Sequence, residues 1–383
     1  MALHFEPDEF AARKKKLLAV LAERELDGLL MFQQESMYWL TGYDSFGFCF
    51  FQCLVLMADG RLALLTRAPD LRQAQHTSIL QDIRVWTDAK GASPVLQLRT
   101  LVADLGGAGK RLGVEYESYG LVAANGRALD TAFAGFATLA DASGAVTALR
   151  AVKSPAEIAH VRQAARLADQ IHAAALGAIA PYANEGNILA AMHDVGFRGG
   201  GDYPANEFII GSGADALLCR YKSGRRKLAA QDQITLEFAG VYRHYHVAMM
   251  ETVCVGEATA RHRTYFAAAS EALNACAEQI RPGRTAGDVF AAHARILDQH
   301  GLAEHRLNAC GYSLGAKFTP SWMDWPMFYQ GNDWVLVPGM VMFAHMILMD
   351  SVSQTAMCLG RTFLVTAAGN DRLSEVEPRL LLR

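Results

Sequence analysis

No apolar stretch in the chain approaches the ~18 residues that cross a bilayer. Its opening, MALHFEPDEFAARKKK, also lacks the apolar core of a secretion signal. A soluble, cytoplasmic protein is expected. Charge of one sign is missing as well: 36 Lys and Arg against 39 Asp and Glu leave a net charge of −3. That balance excludes bulk attraction to nucleic acid or to an anionic membrane, and the single basic cluster, Lys222, Arg225, Arg226 and Lys227, reads as a solvated loop. The seven cysteines include no C-x-x-C pair, which argues against a disulfide framework and fits reduced thiols. H-E-x-x-H and P-loop motifs are absent, so zincin and NTPase chemistry have no support. No segment is low in complexity and no short repeat is visible.

What is present is a packed globular composition, 51% apolar and 20% charged over 383 residues, long enough for two domains. Up to about residue 150, helical and strand patterns alternate. Phe10–Glu25 has a helical period, Gly28–Phe32 is a short apolar strand, and Cys53–Met57 with Leu62–Leu65 flank an Asp59-Gly60 turn. A helix near Pro94–Gly106, a strand Arg111–Glu115 and a helix near Leu121–Ala132 follow. This alternation indicates an α/β domain, residues 1–152. At Ser154-Pro155-Ala156-Glu157 the residue types form a capping box with proline at the first helical position, and a long helix follows. Beyond it, strands are expected at Glu207–Ile210, Gln233–Phe238, His246–Val255, Met340–Leu348 and Thr362–Val365. Helices are expected at Gly186–Val195, Ala260–Ile280 and Ala286–His300. Strands grouped with helices on one side give an α+β domain, residues 153–383.

Five segments, in order, resemble the creatinase/prolidase/methionine-aminopeptidase superfamily: YWLTGYDS (Tyr38–Ser45), RAVKSPAEI (Arg150–Ile158), FIIGSGADA (Phe208–Ala216), PGMVMFAH (Pro338–His345) and RTFLVTAAG (Arg361–Gly369). The resemblance implies a creatinase-like N-terminal domain and a catalytic domain of pita-bread fold, in a chain that forms homodimers. Peptidase members bind two metal ions through five carboxylate and histidine ligands. Those positions fall here on Glu237, Ala248, Tyr312, His345 and Gly360, and their substrate-holding histidine falls on Arg220. Only Glu237 and His345 keep a carboxylate or imidazole there, too few for two metals; a single adventitious ion on that pair stays open, and no metal or other cofactor is expected.

Within the superfamily the nearest resemblance is to ectoine hydrolases, which open a cyclic amidine ring. It rests on GGGDYPA (Gly199–Ala205), EFAGVYRHYH (Glu237–His246) and GYSLGAKFTPSWMD (Gly311–Asp324). There a glutamate at the place of Glu237 is the catalytic carboxylate, a histidine stands at the place of His246, and a tyrosine stands at that of Tyr312. The chain departs from that subfamily at Cys219-Arg220, Met250-Glu251 and Gly360.

The chemistry suits these residues. An amidinium substrate carries its own positive charge, so a carboxylate pairs with it where a metal would repel it. Glu237 can attack its carbon or activate a water, and His246 or His345 can move the proton to the leaving nitrogen. Parity leaves His244, two residues before His246, on the same face. Arg220 offers a fork for a substrate carboxylate. Tyr312, Trp322, Trp325 and Phe328 are candidates for an aromatic wall, and Asp202 and Tyr203 follow the Gly199–Gly201 run at the substrate's edge. That run lacks the strand and helix context of a nucleotide loop. The expected partner is a small cationic or zwitterionic substrate, not nucleic acid or membrane. The alternatives are a creatinase-like amidinohydrolase, a silent ligand-binding protein and, last, an Xaa-Pro metallopeptidase.

Overall fold

A computed structural model describes residues 3–220 and 224–383, and Lys222 of the basic cluster lies outside them. The chain forms two compact units, Met1–Arg150 and Ala151–Arg383. Among the described residues no helix is long and apolar enough to cross a membrane.

In the first unit β1 (Gly28–Met31), β2 (Cys53–Met57), β3 (Leu62–Arg67), β4 (Asp82–Trp86), β5 (Arg111–Val114) and β6 (Thr138–Asp141) form one sheet in the order β4-β3-β2-β1-β5-β6. Its helices are α1 (Pro7–Glu23), α2 (Gln34–Thr41), α3 (Leu71–Thr77), α4 (Pro94–Asp104), α5 (Ala123–Phe133) and α6 (Ala145–Ala151). The central strands are apolar throughout because both faces are covered. Leu30, Val55 and Val114 face a layer shared with α4 and α5, and Leu29, Leu54 and Leu56 face one shared with α1 and α2.

In the second unit α7 (Pro155–Ala178) opens on the expected capping box, with Ser154 and Glu157 bonding each other's backbone N–H groups. Then come α8 (Glu185–Arg198), β7 (Ile209–Ser212), β8 (Asp232–Tyr242), β9 (Tyr245–Val255), α9 (Ala260–Gln279), α10 (Ala286–Gln299), β10 (Ala309–Ser313), β11 (Asp324–Tyr329), β12 (Val341–Asp350), β13 (Thr355–Thr366), β14 (Gly369–Arg372) and β15 (Leu381–Leu382). The sheet runs β11-β10-β12-β13-β9-β8-β7, with β14 on β13 and β15 on β9. β9 and β13 pair only at Glu251–Leu359 and Met250–Gly360, then diverge, so the sheet bends sharply at its centre.

Alternation along the strands sorts residues onto two faces. Leu236, Phe238, Gly240, Glu251 and Arg361 point to the helices. Glu237, Ala239, His246, Ala248, Met250, Gly360, Phe343, His345 and Tyr312 share the opposite face, through the register Glu237–Met250–Gly360–His345 and Ala248–Thr362–Phe343–Tyr312 by way of Thr362 Oγ1 bonded to the Ala248 carbonyl. α7 lies so close on β8 that a Cβ on Gly240 would stand 2.1 Å from the Ala164 carbonyl oxygen and 2.3 Å from the Ala168 nitrogen. Neither backbone atom can yield without moving an element. Gly240→Ala is therefore expected to lower stability by about 3 kcal/mol, read as a lower urea midpoint at unchanged slope.

The basic cluster is only partly a solvated loop. Arg226 donates to Ser212 Oγ at 2.7 Å and to Asp232 at 2.6 Å, which ties the segment after residue 223 to β7 and β8.

Candidate active site

Glu237 sits mid-way along β8 and is 8% exposed. The β8–β9 connection is a two-residue turn with Arg243 and His244 at φ of 52° and 65°, the twist that a tight hairpin needs. This turn fixes the register, setting Glu237 opposite Met250 and His246 opposite Val241. Glu237 and His246 thus share a face but stand four positions apart along the sheet, about 13 Å.

The partner of Glu237 comes from the far side of the sheet. Tyr312 on β10 donates its hydroxyl proton to Glu237 Oε1 at 3.2 Å, and the Trp322 indole N–H donates to the Tyr312 oxygen at 2.9 Å. Between β8 and β10 lie β9, β13 and β12, so a flat sheet would separate them by about 19 Å. The bend at β9 and β13 closes that distance. Burial pushes the Glu237 carboxyl up to about 7, with the Tyr312 hydrogen bond and the Arg220 charge opposing it. The same burial, with the neighbouring carboxylate, holds the Tyr312 hydroxyl well above its usual range.

His345 on β12 keeps its ring 5.6 Å from that of Tyr312 and 5.5 Å from that of Phe343. Its Nδ1 is buried without a hydrogen-bond partner, and burial lowers its protonation to about 3. The imidazole is neutral at rest, with a free nitrogen.

His246 is placed differently. Its Nδ1 donates to the His244 carbonyl at 2.7 Å and its Nε2 accepts the Ala205 N–H at 3.0 Å. Both nitrogens are committed and burial lowers its protonation to about 3. The proton-transfer role expected of His246 therefore gives way to a holding role, because no lone pair or spare proton remains. The His244 ring stacks on Phe318 with centroids 4.3 Å apart, and its backbone N–H donates to Asp202 Oδ2 at 3.2 Å.

That bond also revises Asp202 and Tyr203. Asp202 braces the hairpin turn, and Tyr203 is 81% exposed with its ring edge-on to Phe197 of α8 at 4.9 Å. Neither is brought to Glu237. Of the aromatic candidates, Trp322 joins the site through Tyr312. Phe328 is buried in the core formed with α9 and α10, and Trp325 is half exposed on the edge strand β11. Arg220 is exposed, its guanidinium 3.8 Å from Met323 Sδ, while its charge reaches Glu237, Tyr312 and His345.

Several residues escaped the sequence reading. Asn206 Oδ1 accepts the Trp322 backbone N–H at 3.0 Å; it lies in a loop without periodicity to flag it. Cys219 and Cys358 lie near enough to Glu237 for its charge to raise both thiols, after burial as the larger cause. Phe343 was legible, because it shares strand parity with His345 two residues on. Its ring fills the space beside Gly360, where an added Cβ would meet Phe343 Cζ at 2.6 Å and Met250 Cβ at 3.1 Å.

These neighbours decide what the site can hold. Glu237 and His345 are separated in their row by Met250 and Gly360, with the Phe343 ring over that gap. Among the described residues no group of three or more His, Cys, Asp or Glu side chains comes together as a metal set. The donors present do not fit a metal pair. They make one buried, hydrogen-bonded carboxylate and, across an apolar floor, a neutral imidazole.

Fold and site together define a pita-bread hydrolase scaffold, and the comparisons agree. Residues 159–367 match metallopeptidase family M24 and residues 13–152 match the creatinase/prolidase N-terminal domain, so the chain belongs to family M24. It is 26% identical over 400 residues to the ectoine hydrolase of Halomonas elongata, covering 100% of this chain and 99% of that one. To the Xaa-Pro dipeptidase of Pyrococcus furiosus it is 25% identical over 234 residues, 61% of this chain and 66% of the relative. The solved Xaa-Pro dipeptidase from Bacillus anthracis shares the fold at a TM-score of 0.85 and 20% identity, over 98% of this chain and 100% of that one.

Proposed function

We propose that this chain hydrolyses a C–N bond in a small cyclic amidine, ectoine or a close relative, without a metal ion. The observation that carries the reading is the buried Glu237 carboxylate, held by Tyr312 above the apolar floor of Met250, Gly360 and Phe343. Such a carboxylate pairs with an amidinium and gains from its charge, whereas an uncharged peptide bond offers it nothing. The full-length likeness to an ectoine hydrolase supports the same substrate class.

In the proposed reaction water adds to the amidinium carbon and the ring C–N bond breaks, leaving an amide and an ammonium. Water supplies two protons, and both end on the leaving nitrogen. Glu237 takes the first as the water attacks. His345, neutral and with a free nitrogen, takes the second as the carbonyl forms. Arg220, whose guanidinium rests against the Met323 sulfur, is suited to a carboxylate on the substrate.

The test is a comparison of substrates by proton NMR. Ectoine is expected to give a ring-opened N-acyl diamino acid, and creatine and an Xaa-Pro dipeptide to remain intact. Turnover of creatine in place of ectoine would move the assignment to guanidino compounds. Cleavage of the dipeptide alone would overturn it.

A further inference from the structure

We propose that Trp322 and Asn206 are positioning residues that fix the direction of the Tyr312 hydroxyl proton, so that one oxygen of Glu237 is always occupied and the other is kept for substrate. This rests on the reading of Glu237 as the reacting carboxylate. An indole N–H can only donate, and that of Trp322 lies 2.9 Å from the Tyr312 oxygen. The tyrosine must accept there. Its single proton is then left for Glu237 Oε1, 3.2 Å away. All three side chains are at most 8% exposed, so water does not compete for these directions.

The indole is held by the loop that precedes β7. Asn206 Oδ1 accepts the backbone N–H of Trp322 at 3.0 Å while its Nδ2 donates to the Glu207 carbonyl at 3.1 Å, so both ends of the amide are assigned by their partners. One residue earlier, Ala205 donates to His246 Nε2. The His246 ring stands 6.2 Å from the indole, so the hairpin turn, the loop and the Trp322 segment are bound at one place. Asn206 thus anchors the Trp322 backbone, and the donors run one way from the Trp322 indole through Tyr312 to the Glu237 carboxylate. Without the indole donor the tyrosine hydroxyl is free to turn and accept, and Glu237 loses the bond that favours its ionised form. Arg220, Cys219 and Cys358 also face this carboxylate, and the variants below leave them in place.

The experiment is a carbon-13 NMR titration of the Glu237 carboxyl in the full chain without substrate, assigned by Glu237→Gln. Trp322→Phe keeps a ring in place and removes only the N–H. It is expected to move the titration upward by about half a pH unit or more. Asn206→Ala is expected to move it the same way, and Asn206→Asp, which keeps an acceptor oxygen, to restore it. In a Tyr312→Phe background Trp322→Phe should add nothing further. The proposal is overturned if Trp322→Phe leaves the titration unmoved where Tyr312→Phe shifts it, or if the two shifts add in full. Because no substrate is present, the titration decides the relay even where amidine turnover fails. Failure of turnover with the expected shifts would count against the proposed reaction alone.

Discussion

Glu237→Gln is expected to lower the proposed turnover of a cyclic amidine by about a thousandfold or more while leaving the fold at least as stable. The two parts have one cause. The carboxylate is isosteric with the amide, so packing around Tyr312 is kept, but the amide neither takes a proton from water nor pairs with an amidinium. Burial holds the Glu237 carboxyl at about 7, above its ordinary 4.5. The folded protein therefore binds that proton more tightly than the unfolded chain. The corresponding stability, ~3 kcal/mol, is fully present below pH 4.5 and is lost as pH rises through 7. Calorimetry at pH 6 and 8.5 should show the parent losing more stability than Glu237→Gln over that interval. Initial rates should rise through about pH 7 as the carboxylate forms. A variant that retained a tenth of the parent rate would remove Glu237 from the mechanism.

The second large effect lies on the other face of the same strands. Glu251, 2% exposed, bonds both His172, at 3.3 Å, and Arg361, which is wholly buried. Arg361 also donates to the Gly360 and Val376 carbonyls at 2.8 and 3.2 Å. Burial alone would raise the Glu251 carboxyl, yet His172 and Arg361 together hold it below its ordinary range. Its contribution is thus present above the unfolded carboxylate range and is lost as pH falls through the lowered folded value. Glu251→Gln strands a buried guanidinium at the two-position junction of β9 and β13. A loss of about 3–5 kcal/mol is expected, read from urea unfolding at neutral pH, with the difference from the parent narrowing in acid. A loss below about 1 kcal/mol would show that the junction does not depend on this cluster.

Much of this architecture is legible in the residues. The capping box at Ser154 and Glu157, the apolar strands of the first unit and the long helices of the second follow from period and capping chemistry. Other elements resist for physical reasons. β10 and β11 carry Gly311 and Pro326 and an irregular register between them, so neither shows clean alternation. β8 continues through Ala239 and Gly240, a stretch that reads as a break until the closeness of α7 explains the missing side chains. β4 and β6 are short and half exposed, which leaves little pattern to find.

The site divides in the same way. Glu237 and Tyr312 stand out as residue types, but their meeting depends on the bend between β9 and β13, a long-range property no local pattern encodes. His246 shows the opposite limit. Its identity suggests proton transfer, and only its two hydrogen bonds reveal that both nitrogens are in use. Gly360 alone reads as a loss; beside Phe343 it is space for a ring.

The central claim is that a carboxylate and a substrate-borne charge do the work that a metal pair does in a metallopeptidase. Its most direct test is ectoine turnover and metal content measured on one chelator-treated sample of the full chain. The account predicts an unchanged rate with far less than one metal ion per chain, and no gain on adding manganese, cobalt or zinc. A rate lost on chelation and regained with one of those ions would contradict it.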